Sequence, residues 1–262
     1  MPRVHLSPFL LESGQSGAEF DLDPETAKKL VKVLRLTPGE TFVAFDGRGR
    51  EWECALATVE QEGRPRATAV ILEERAVENT RRLLLSVAQA IPKGDKLDFV
   101  LQKGTEIGVA EFWPFEGERS VSRLDPDEGA ARAAGRTDRW RRIAASAAAQ
   151  CGRADVPIVH AVSDLATVVD SGMGVGRVFM LDESAEALPL REALAREPVP
   201  FEEEVPPRVM LLVGPEGGWS ARERDWATRY GAEPVHLGAR ILRTETAALV
   251  AATVLFWEAG EL

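Results

Sequence analysis

Two glycine-containing loops in the last third of the chain carry residues whose types and spacing could do chemistry. The first is Gly214-Pro-Glu-Gly-Gly-Trp-Ser220, and the second is Leu237-Gly-Ala-Arg-Ile-Leu-Arg-Thr-Glu-Thr246. Glycine-interrupted loops leave backbone amides and carbonyls free to hold a ligand. Neither loop has the spacing of a phosphate cradle, and Glu216 would repel a phosphate. The pattern therefore disfavours a phosphate cradle, whereas a cationic or zwitterionic ligand is tolerated.

The first loop must be positioned by a strand before it and a helix after it. Residues 209–213 form an apolar run with β-branched side chains, which predicts a buried strand. Ser220 followed by Glu223 has the spacing of a capping box, which begins a helix by satisfying its free N–H groups. Gly231 predicts the end of that helix.

The second loop repeats this order of strand, loop and helix. Residues 235–237 predict a short strand that Gly238 ends, and the apolar run 247–257 predicts a buried helix. We expect Thr244 to cap this helix and Glu245 to lie in its first turn, where a carboxylate complements the helix dipole. Two such loops at the carboxyl ends of neighbouring strands would form one crevice.

A simpler interpretation is that these glycines only turn the chain, because isolated loop motifs are weak evidence for a site. A third glycine-rich stretch, residues 172–176, illustrates this. It precedes the predicted strand 178–181 instead of following one, so a loop is a better interpretation than a nucleotide site.

The two loops together resemble the ribosomal RNA uridine-N3 methyltransferases, the RsmE family of the SPOUT superfamily. The similar segments, which extend over nearly the whole chain, are residues 213–218, 237–247, 93–96, 102–108, 118–120 and 150–153. The resemblance implies an α/β fold with a C-terminal SPOUT methyltransferase domain containing a deep trefoil knot. It also implies a small N-terminal PUA-like β-barrel and a homodimer.

The resemblance further implies S-adenosylmethionine as the methyl donor, held by backbone groups and apolar contacts. The implied cofactor-binding residues are Leu212, Gly214, Gly218, Leu237, Gly238, Ile241, Leu242 and Thr246. Trp219 and Ala239 depart from the family pattern, which more often has Phe or Leu at the first position and Pro at the second.

Methylation at uridine N3 takes place on the Watson–Crick edge, so the target base must be unpaired or splayed out. Loss of the N3 proton leaves negative charge on O2 and O4, which a nearby cation would stabilise. We expect Arg243 or Arg119 to stabilise that anion, and Glu216 or Glu245 to accept the proton or orient the base. The structural alternatives are that Glu245 only favours its helix start and that Arg243 only pairs with Glu216.

The formal net charge of −10 argues against non-specific binding to nucleic acid. Basic residues nevertheless cluster at Arg132, Arg136, Arg139, Arg141 and Arg142, and a local basic face can contact RNA phosphates. The residues expected to contact RNA are Arg139, Arg141, Arg142, Gln150, Arg153 and Lys103. The alternatives are a solvated helix face and, for Arg153, a helix C-terminal cap near Gly152.

The remaining features bear on domains and compartment. Short apolar runs separated by turns predict a small barrel over residues 1–75, with the polar stretch 73–82 as the boundary and the methyltransferase domain over residues 76–262. The resemblance makes the barrel an RNA-docking module. Later strands alternate with helices, which predicts a parallel sheet.

We expect a cytoplasmic protein, because no leader is evident and the longest apolar run is too short to span a bilayer. Cys54 and Cys151 lie far apart in the sequence, so buried free thiols in a reducing compartment are the simplest expectation. The three histidines are equally scattered, and we predict no metal site.

The function implied by the resemblance is methylation of uridine N3 in 16S ribosomal RNA, at a site of the uridine 1498 type within the assembled 30S subunit. One alternative is another SPOUT methyltransferase, acting on transfer RNA or on a ribose 2′-hydroxyl. A second alternative is a ribosome assembly factor without catalytic activity.

Overall fold

The structure, a computed structural model, describes residues 1–11, 14–60, 66–77, 81–120, 129–173, 176–184, 186–201 and 205–262. These residues form two compact units. The first contains Met1–Asn79 and Ala145–Val156, and the second contains Thr80–Ala144 and Pro157–Leu262. The chain therefore returns to the first unit before it completes the second. The division into residues 1–75 and 76–262 takes no account of this return and stays a prediction.

The first unit is built on a five-stranded sheet with the order β1-β3-β4-β5-β2. Its strands are β1 (Arg3–His5), β2 (Glu19–Asp21), β3 (Thr41–Phe45), β4 (Glu51–Glu60) and β5 (Arg66–Arg75). The unit also contains a 3-10 helix at Pro8–Leu11, helix α1 (Pro24–Lys28), which continues as a π-helical turn at Lys29–Val33, and the returning segment Ala145–Val156. Leu30, Phe42, Trp52 and Ile71 lie in its apolar core.

The second unit contains a parallel sheet with the order β11-β13-β10-β12-β6-β7-β8, and β9 also pairs with β7. Its strands are β6 (Leu84–Ala90), β7 (Glu111–Glu116), β8 (Ile158–Val159), β9 (Ser163–Asp164), β10 (Arg177–Leu181), β11 (Leu188–Pro189), β12 (Arg208–Val213) and β13 (Ala232–His236). The central strands are apolar on both faces, as expected for a parallel sheet covered by helices.

The helices that follow α1 are α2 (Lys96–Ile107), α3 (Gly129–Cys151), α4 (Leu165–Met173), α5 (Leu190–Arg196), α6 (Ala221–Arg229) and α7 (Thr244–Glu258). Helix α7 packs against α2, β6 and β12. Because α7 begins directly after the second glycine loop, this packing brings that loop to the sheet centre.

The local signals around the first loop are confirmed. Ser220 and Glu223 form both hydrogen bonds of a capping box at the start of α6. Gly231 follows the end of that helix with a φ of +87°, a left-handed conformation that glycine adopts without strain. Strand β13 begins earlier than predicted, at Ala232.

Three further expectations can be compared with the structure. Cys54 is buried, and burial raises the pKa of its thiol to about 12, but Cys151 is exposed, so the expectation of two buried thiols was wrong. In the stretch 172–176, Gly174 and Val175 lie outside the described residues. Within the described part of the chain, every helix is too short or too polar to cross a membrane.

Candidate functional site

A pocket of about 410 Å³ lies at the carboxyl ends of β10, β12 and β13. This volume falls within the range of about 300–1,000 Å³ that is typical of small-molecule and cofactor sites. Both glycine loops contribute to its walls, as expected for a crevice at the ends of parallel strands. The strands before the two loops are not neighbours as predicted, however, because β10 lies between β12 and β13. The lining residues are Lys96, Leu181, Asp182, Glu183, Val213, Gly214, Pro215, Glu216, Gly218, Trp219, Val235, His236, Leu237, Gly238, Arg240, Ile241, Leu242, Arg243, Thr244 and Ala247.

A chain of hydrogen bonds joins the two loops beneath the pocket. The amide Nε2 of Gln89 donates to Oγ1 of Thr244 at 2.8 Å, and this hydroxyl donates to the carbonyl oxygen of Gly214 at 2.8 Å. The expectation that Thr244 caps α7 was wrong, because Thr244 is the first residue of that helix. Arg243 occupies the cap position and makes no capping hydrogen bond with its side chain. The Thr244 hydroxyl is directed instead to a loop that is distant in sequence.

The indole of Trp219 forms the apolar wall of the pocket. Its Nε1 donates to the carbonyl oxygen of Leu181 at 2.8 Å, and its ring lies nearly parallel to Phe115 with centroids 6.0 Å apart. A Cβ at Gly214 would lie 3.0 Å from this indole ring. The glycine at position 214 therefore permits the close approach of the indole to the loop backbone.

Two pocket glycines adopt backbone conformations that other residues rarely adopt. The φ angles are +69° at Gly218 and +116° at Gly238. The N–H of Gly238 donates to Nδ1 of His236 at 3.1 Å, which holds the second loop at its start. A nitrogen that accepts this bond carries no proton, so the ring proton of a neutral His236 lies on Nε2.

A group of charged side chains lies at the pocket mouth. The ammonium of Lys96 is 3.0 Å from Oε1 of Glu216 and 3.7 Å from Oε2 of Glu245. The backbone N–H of Lys93 also donates to Oε1 of Glu216, at 3.1 Å. Burial acts to raise the pKa of Glu216, but the hydrogen bonds from Lys96 and Lys93 prevail and hold it below its ordinary value. The bond to Glu216 raises the pKa of Lys96.

The two candidate arginines differ in their relation to the pocket. Arg243 is exposed and lines the pocket, whereas Arg119 lies outside the lining and donates from Nη1 to the carbonyl oxygen of Gly217 at 3.3 Å. Among the described residues Glu216 is bound by Lys96 and Lys93, and no Arg243–Glu216 pair is present. The alternative in which Arg243 only neutralises Glu216 is therefore not seen.

A second acidic group lies at the end of β10. Asp182 is buried, and the guanidinium of Arg224 donates to both of its carboxylate oxygens, from Nε at 2.6 Å and from Nη2 at 3.2 Å. The Ser184 hydroxyl adds a bond of 2.8 Å. Burial acts to raise the pKa of Asp182, but these bonds hold it below its ordinary value. The neighbouring Glu183 is exposed and lines the pocket.

The structure brings together most of the expected cofactor residues. Those that line the pocket are Gly214, Gly218, Leu237, Gly238, Ile241 and Leu242. Leu212 is buried within β12 and Thr246 is exposed on α7, and both lie outside the lining. Sequence reasoning did not assign Lys96, Asp182, Trp219 or His236 to the site. For Lys96 a signal was present, because it belongs to the segment 93–96 that carried the family resemblance.

The expected RNA-binding residues are mostly paired with acids of the same chain. Arg139 is bonded to Asp98, Arg141 lies 3.2 Å from Asp138, Lys103 lies 2.8 Å from Glu106 and Arg153 lies 2.6 Å from Asp155. Arg142 donates to the backbone oxygen of Asp138 at 3.3 Å, and Gln150 is exposed. The side chain of Arg132 lies outside the described residues. Their contact with RNA remains a prediction, and most of these side chains are already paired with a neighbouring carboxylate.

Comparisons with known proteins agree with this geometry. A family profile described as an RNA methyltransferase domain matches residues 79–256, and one described as an RNA methyltransferase PUA domain matches residues 22–72. Ribosomal RNA small subunit methyltransferase E of Mycobacterium bovis is 34% identical over 90% of this chain and 85% of its own length. These matches confirm the predicted α/β methyltransferase fold with an N-terminal PUA-like domain.

Two solved structures are similar over nearly the whole chain. Ribosomal RNA small subunit methyltransferase E of Neisseria gonorrhoeae, bound to S-adenosyl methionine, is 33% identical with a TM-score of 0.79, and the match covers 98% of this chain and 97% of that chain. A Legionella pneumophila protein described as a methyltransferase in complex with the bound cofactor SAM is 30% identical with a TM-score of 0.82, and the match covers 97% and 96%.

Proposed function

Because this chain belongs to the RNA methyltransferase family, as a relative of the ribosomal RNA small subunit methyltransferases E, we propose that it methylates N3 of a uridine in 16S ribosomal RNA. The donor is S-adenosylmethionine, and the target is a site of the uridine 1498 type. The observation that carries the proposal is the pocket at the ends of β10, β12 and β13, whose mouth holds Lys96, Glu216, Arg243 and, next to Lys96, Glu245.

The residues of the pocket fit this donor. Apolar side chains such as Trp219 and Leu242 can contact its uncharged parts, and loop glycines expose backbone groups that can bind its polar parts. Glu183 and Glu216 supply negative charge for its cationic centres. When bound, S-adenosylmethionine supplies a methyl group on a sulfonium and leaves as a neutral thioether.

The protein must handle the proton and the charge of the acceptor base. The N3–H bond of uracil has to break, and the electron pair left on N3 forms the new bond to carbon. Glu216 or Glu245 accepts the proton or orients the base, and Arg243 or Arg119 stabilises the negative charge on O2 and O4. Arg243 is the better placed of the two arginines, since it lines the pocket.

We propose a homodimer whose interface includes α7. Val250 and Trp257 on this helix are 37% and 68% exposed, and their spacing of seven residues places them on the same helix face. An exposed tryptophan beside a second apolar residue favours contact with another apolar surface.

The trefoil knot, the RNA contacts and the cytoplasmic location belong to the same proposal. The chain passes from β13, beside β10, to α7, which packs on β6 and β12, and this crossing supports a threaded arrangement.

The RNA contacts are those expected from the sequence, namely Arg139, Arg141, Arg142, Gln150, Arg153 and Lys103, and the substrate is the assembled 30S subunit.

The test is methylation of undermodified 30S particles with labelled S-adenosylmethionine, followed by digestion and mass spectrometry of the labelled nucleoside. We expect 3-methyluridine at one position, and a slower reaction on free 16S ribosomal RNA. Arg243→Ala should reduce the rate by about 100-fold, the effect of removing one group that stabilises a developing anion. Label on transfer RNA or on a ribose 2′-hydroxyl would favour another SPOUT methyltransferase. Particle binding without donor binding would favour an assembly factor.

A further inference from the structure

Lys96 lies between the two carboxylates that could act on the acceptor base. Its ammonium is 3.0 Å from Oε1 of Glu216 and 3.7 Å from Oε2 of Glu245. The two glutamates come from different elements, the loop after β12 and the first turn of α7, while Lys96 begins α2. One lysine therefore connects three elements that meet at the pocket mouth.

Glu216 is held in place by this contact. Its Oε1 accepts hydrogen bonds from the Lys96 ammonium and from the backbone N–H of Lys93, which precedes α2. A carboxylate at a helix N-terminus is also stabilised by the helix dipole. The lowered pKa of Glu216 makes its carboxylate a weaker base than an ordinary glutamate. These features suit an anchor for the loop better than a proton acceptor.

Glu245 is in a different situation. Its side chain is 13% exposed, and its Oε2 is buried with no hydrogen-bond partner among the described residues. Its distance of 3.7 Å from the Lys96 ammonium is within ion-pair range but too long for a hydrogen bond. A buried carboxylate oxygen without a donor is unfavourable, so the Glu245 carboxylate, which lies beside the pocket lining and not in it, has unused capacity to accept a donor such as a nucleobase N–H.

We propose that Lys96 is a positioning residue that fixes Glu216 as an anchor of the first loop and leaves Glu245 as the carboxylate that meets the acceptor base. This inference rests on the proposed uridine methylation. The uracil N3–H donates to the carboxylate of Glu245. As the methyl group of the donor is transferred, the N3–H bond breaks, its proton moves to that carboxylate, and the N3 electron pair forms the N–C bond. The electron pair of the broken S–C bond stays on sulfur.

Four variants test this division of roles: Glu245→Gln, Glu216→Gln, Lys96→Met and Lys96→Arg. For each, calorimetry gives the Kd for S-adenosylmethionine, and single-turnover methylation of undermodified 30S particles gives the rate across pH. Glu245→Gln should bind the donor within about twofold of wild type and lose at least about 100-fold in rate, the usual effect of removing an acid–base group. Glu216→Gln should instead weaken donor binding by about tenfold with a smaller loss of rate.

Lys96→Met should resemble Glu216→Gln in donor binding. It should also move the acid limb of the rate–pH profile to higher pH, because removal of an ammonium makes a neighbouring carboxylate easier to protonate. Lys96→Arg keeps the charge and should restore most of the donor affinity and the wild-type profile. If Lys96 had only a structural role, Lys96→Met would weaken donor binding without moving the rate–pH profile.

Several outcomes would overturn the inference. A Glu245→Gln variant with wild-type rate would remove the assignment of the acceptor. A Glu216→Gln variant that loses about 100-fold in rate with unchanged donor affinity would reverse the two roles. A Lys96→Met variant with wild-type Kd and profile would show that the lysine positions neither group. These results differ from failure of the proposed function, in which the wild-type protein itself forms no 3-methyluridine.

Discussion

The hydroxyl of Thr244 donates a hydrogen bond to the carbonyl oxygen of Gly214 at 2.8 Å, which ties the first residue of α7 to the loop after β12. The buried amide of Gln89 fixes the direction of this bond, because it donates to the same hydroxyl. Each of the three groups belongs to a different strand end or helix start. The shape of the pocket therefore depends on one hydroxyl that both loops share.

We expect Thr244→Val to destabilise the protein by about 1–3 kcal/mol, because the Gly214 carbonyl and the Gln89 amide would lose a buried partner. Thr244→Ser keeps the hydroxyl and is the matched control. Urea unfolding measures the stability, and calorimetry should show weaker binding of S-adenosylmethionine to the valine variant only. Equal donor affinity in both variants would contradict the role of this bond in shaping the pocket.

Gly214→Ala should reduce donor affinity by at least about tenfold, because the added Cβ would meet the Trp219 indole at 3.0 Å and the ring would have to move. Gly39→Ala, in the first unit, is a useful comparison. Gly39, unlike Gly214, has open space around it, but its φ is +91°, so alanine there should lower stability and leave donor binding unchanged. Calorimetric titration of both variants decides the point.

The Asp182–Arg224 pair predicts a pH dependence of stability. The folded-state pKa of Asp182 lies below its ordinary value of 3.8, so the pair stabilises the protein above that pH, and this contribution is lost as the pH falls through the lower folded-state value. Asp182→Asn should lower the free energy of unfolding by about 2 kcal/mol at neutral pH, the contribution of hydrogen bonds to a charged group.

The measurement is urea unfolding of both proteins from neutral pH down to acid. The difference between wild type and Asp182→Asn should shrink below pH 3.8, because the aspartate of the wild type then becomes protonated. A difference that stays constant over this range would mean that the charge of Asp182 contributes nothing to stability.

Trp257→Glu should prevent dimerisation, since it places a charge on the apolar face of α7 that we propose as the dimer interface. The side chain is 68% exposed in the single chain, so the fold should tolerate the change. Val205→Glu, at a site that is 73% exposed, is the control. Sedimentation velocity should show a monomer only for the Trp257 variant; a dimer in both would place the interface elsewhere.

The sequence predicted those parts of the site that depend on local signals. The capping box of Ser220 and Glu223 and the turn at Gly231 are determined within a few residues, so strand β12, the first loop and α6 follow directly. The role of Thr244 could not be predicted this way. A threonine before an apolar run is typical of a cap, and its actual partner Gly214 lies 30 residues earlier.

The charged side chains at the pocket mouth likewise depend on contacts between residues that are distant in sequence. Lys96 and Glu216 are 120 residues apart, so the sequence could not show that the lysine, and not Arg243, holds this glutamate. For the arginines of α3, the sequence suggested free positive charge that the structure shows to be paired. They form a basic run in the sequence, but Asp98, which pairs with Arg139, comes from α2, 41 residues earlier.

The pocket takes walls from β10, β12 and β13, and its last wall from the start of α7. A chain that is still being synthesised can fold its PUA-like unit and most of the sheet before α7 has left the ribosomal exit tunnel. It cannot hold the methyl donor until that helix has docked. Newly made protein should therefore gain donor binding in one late step.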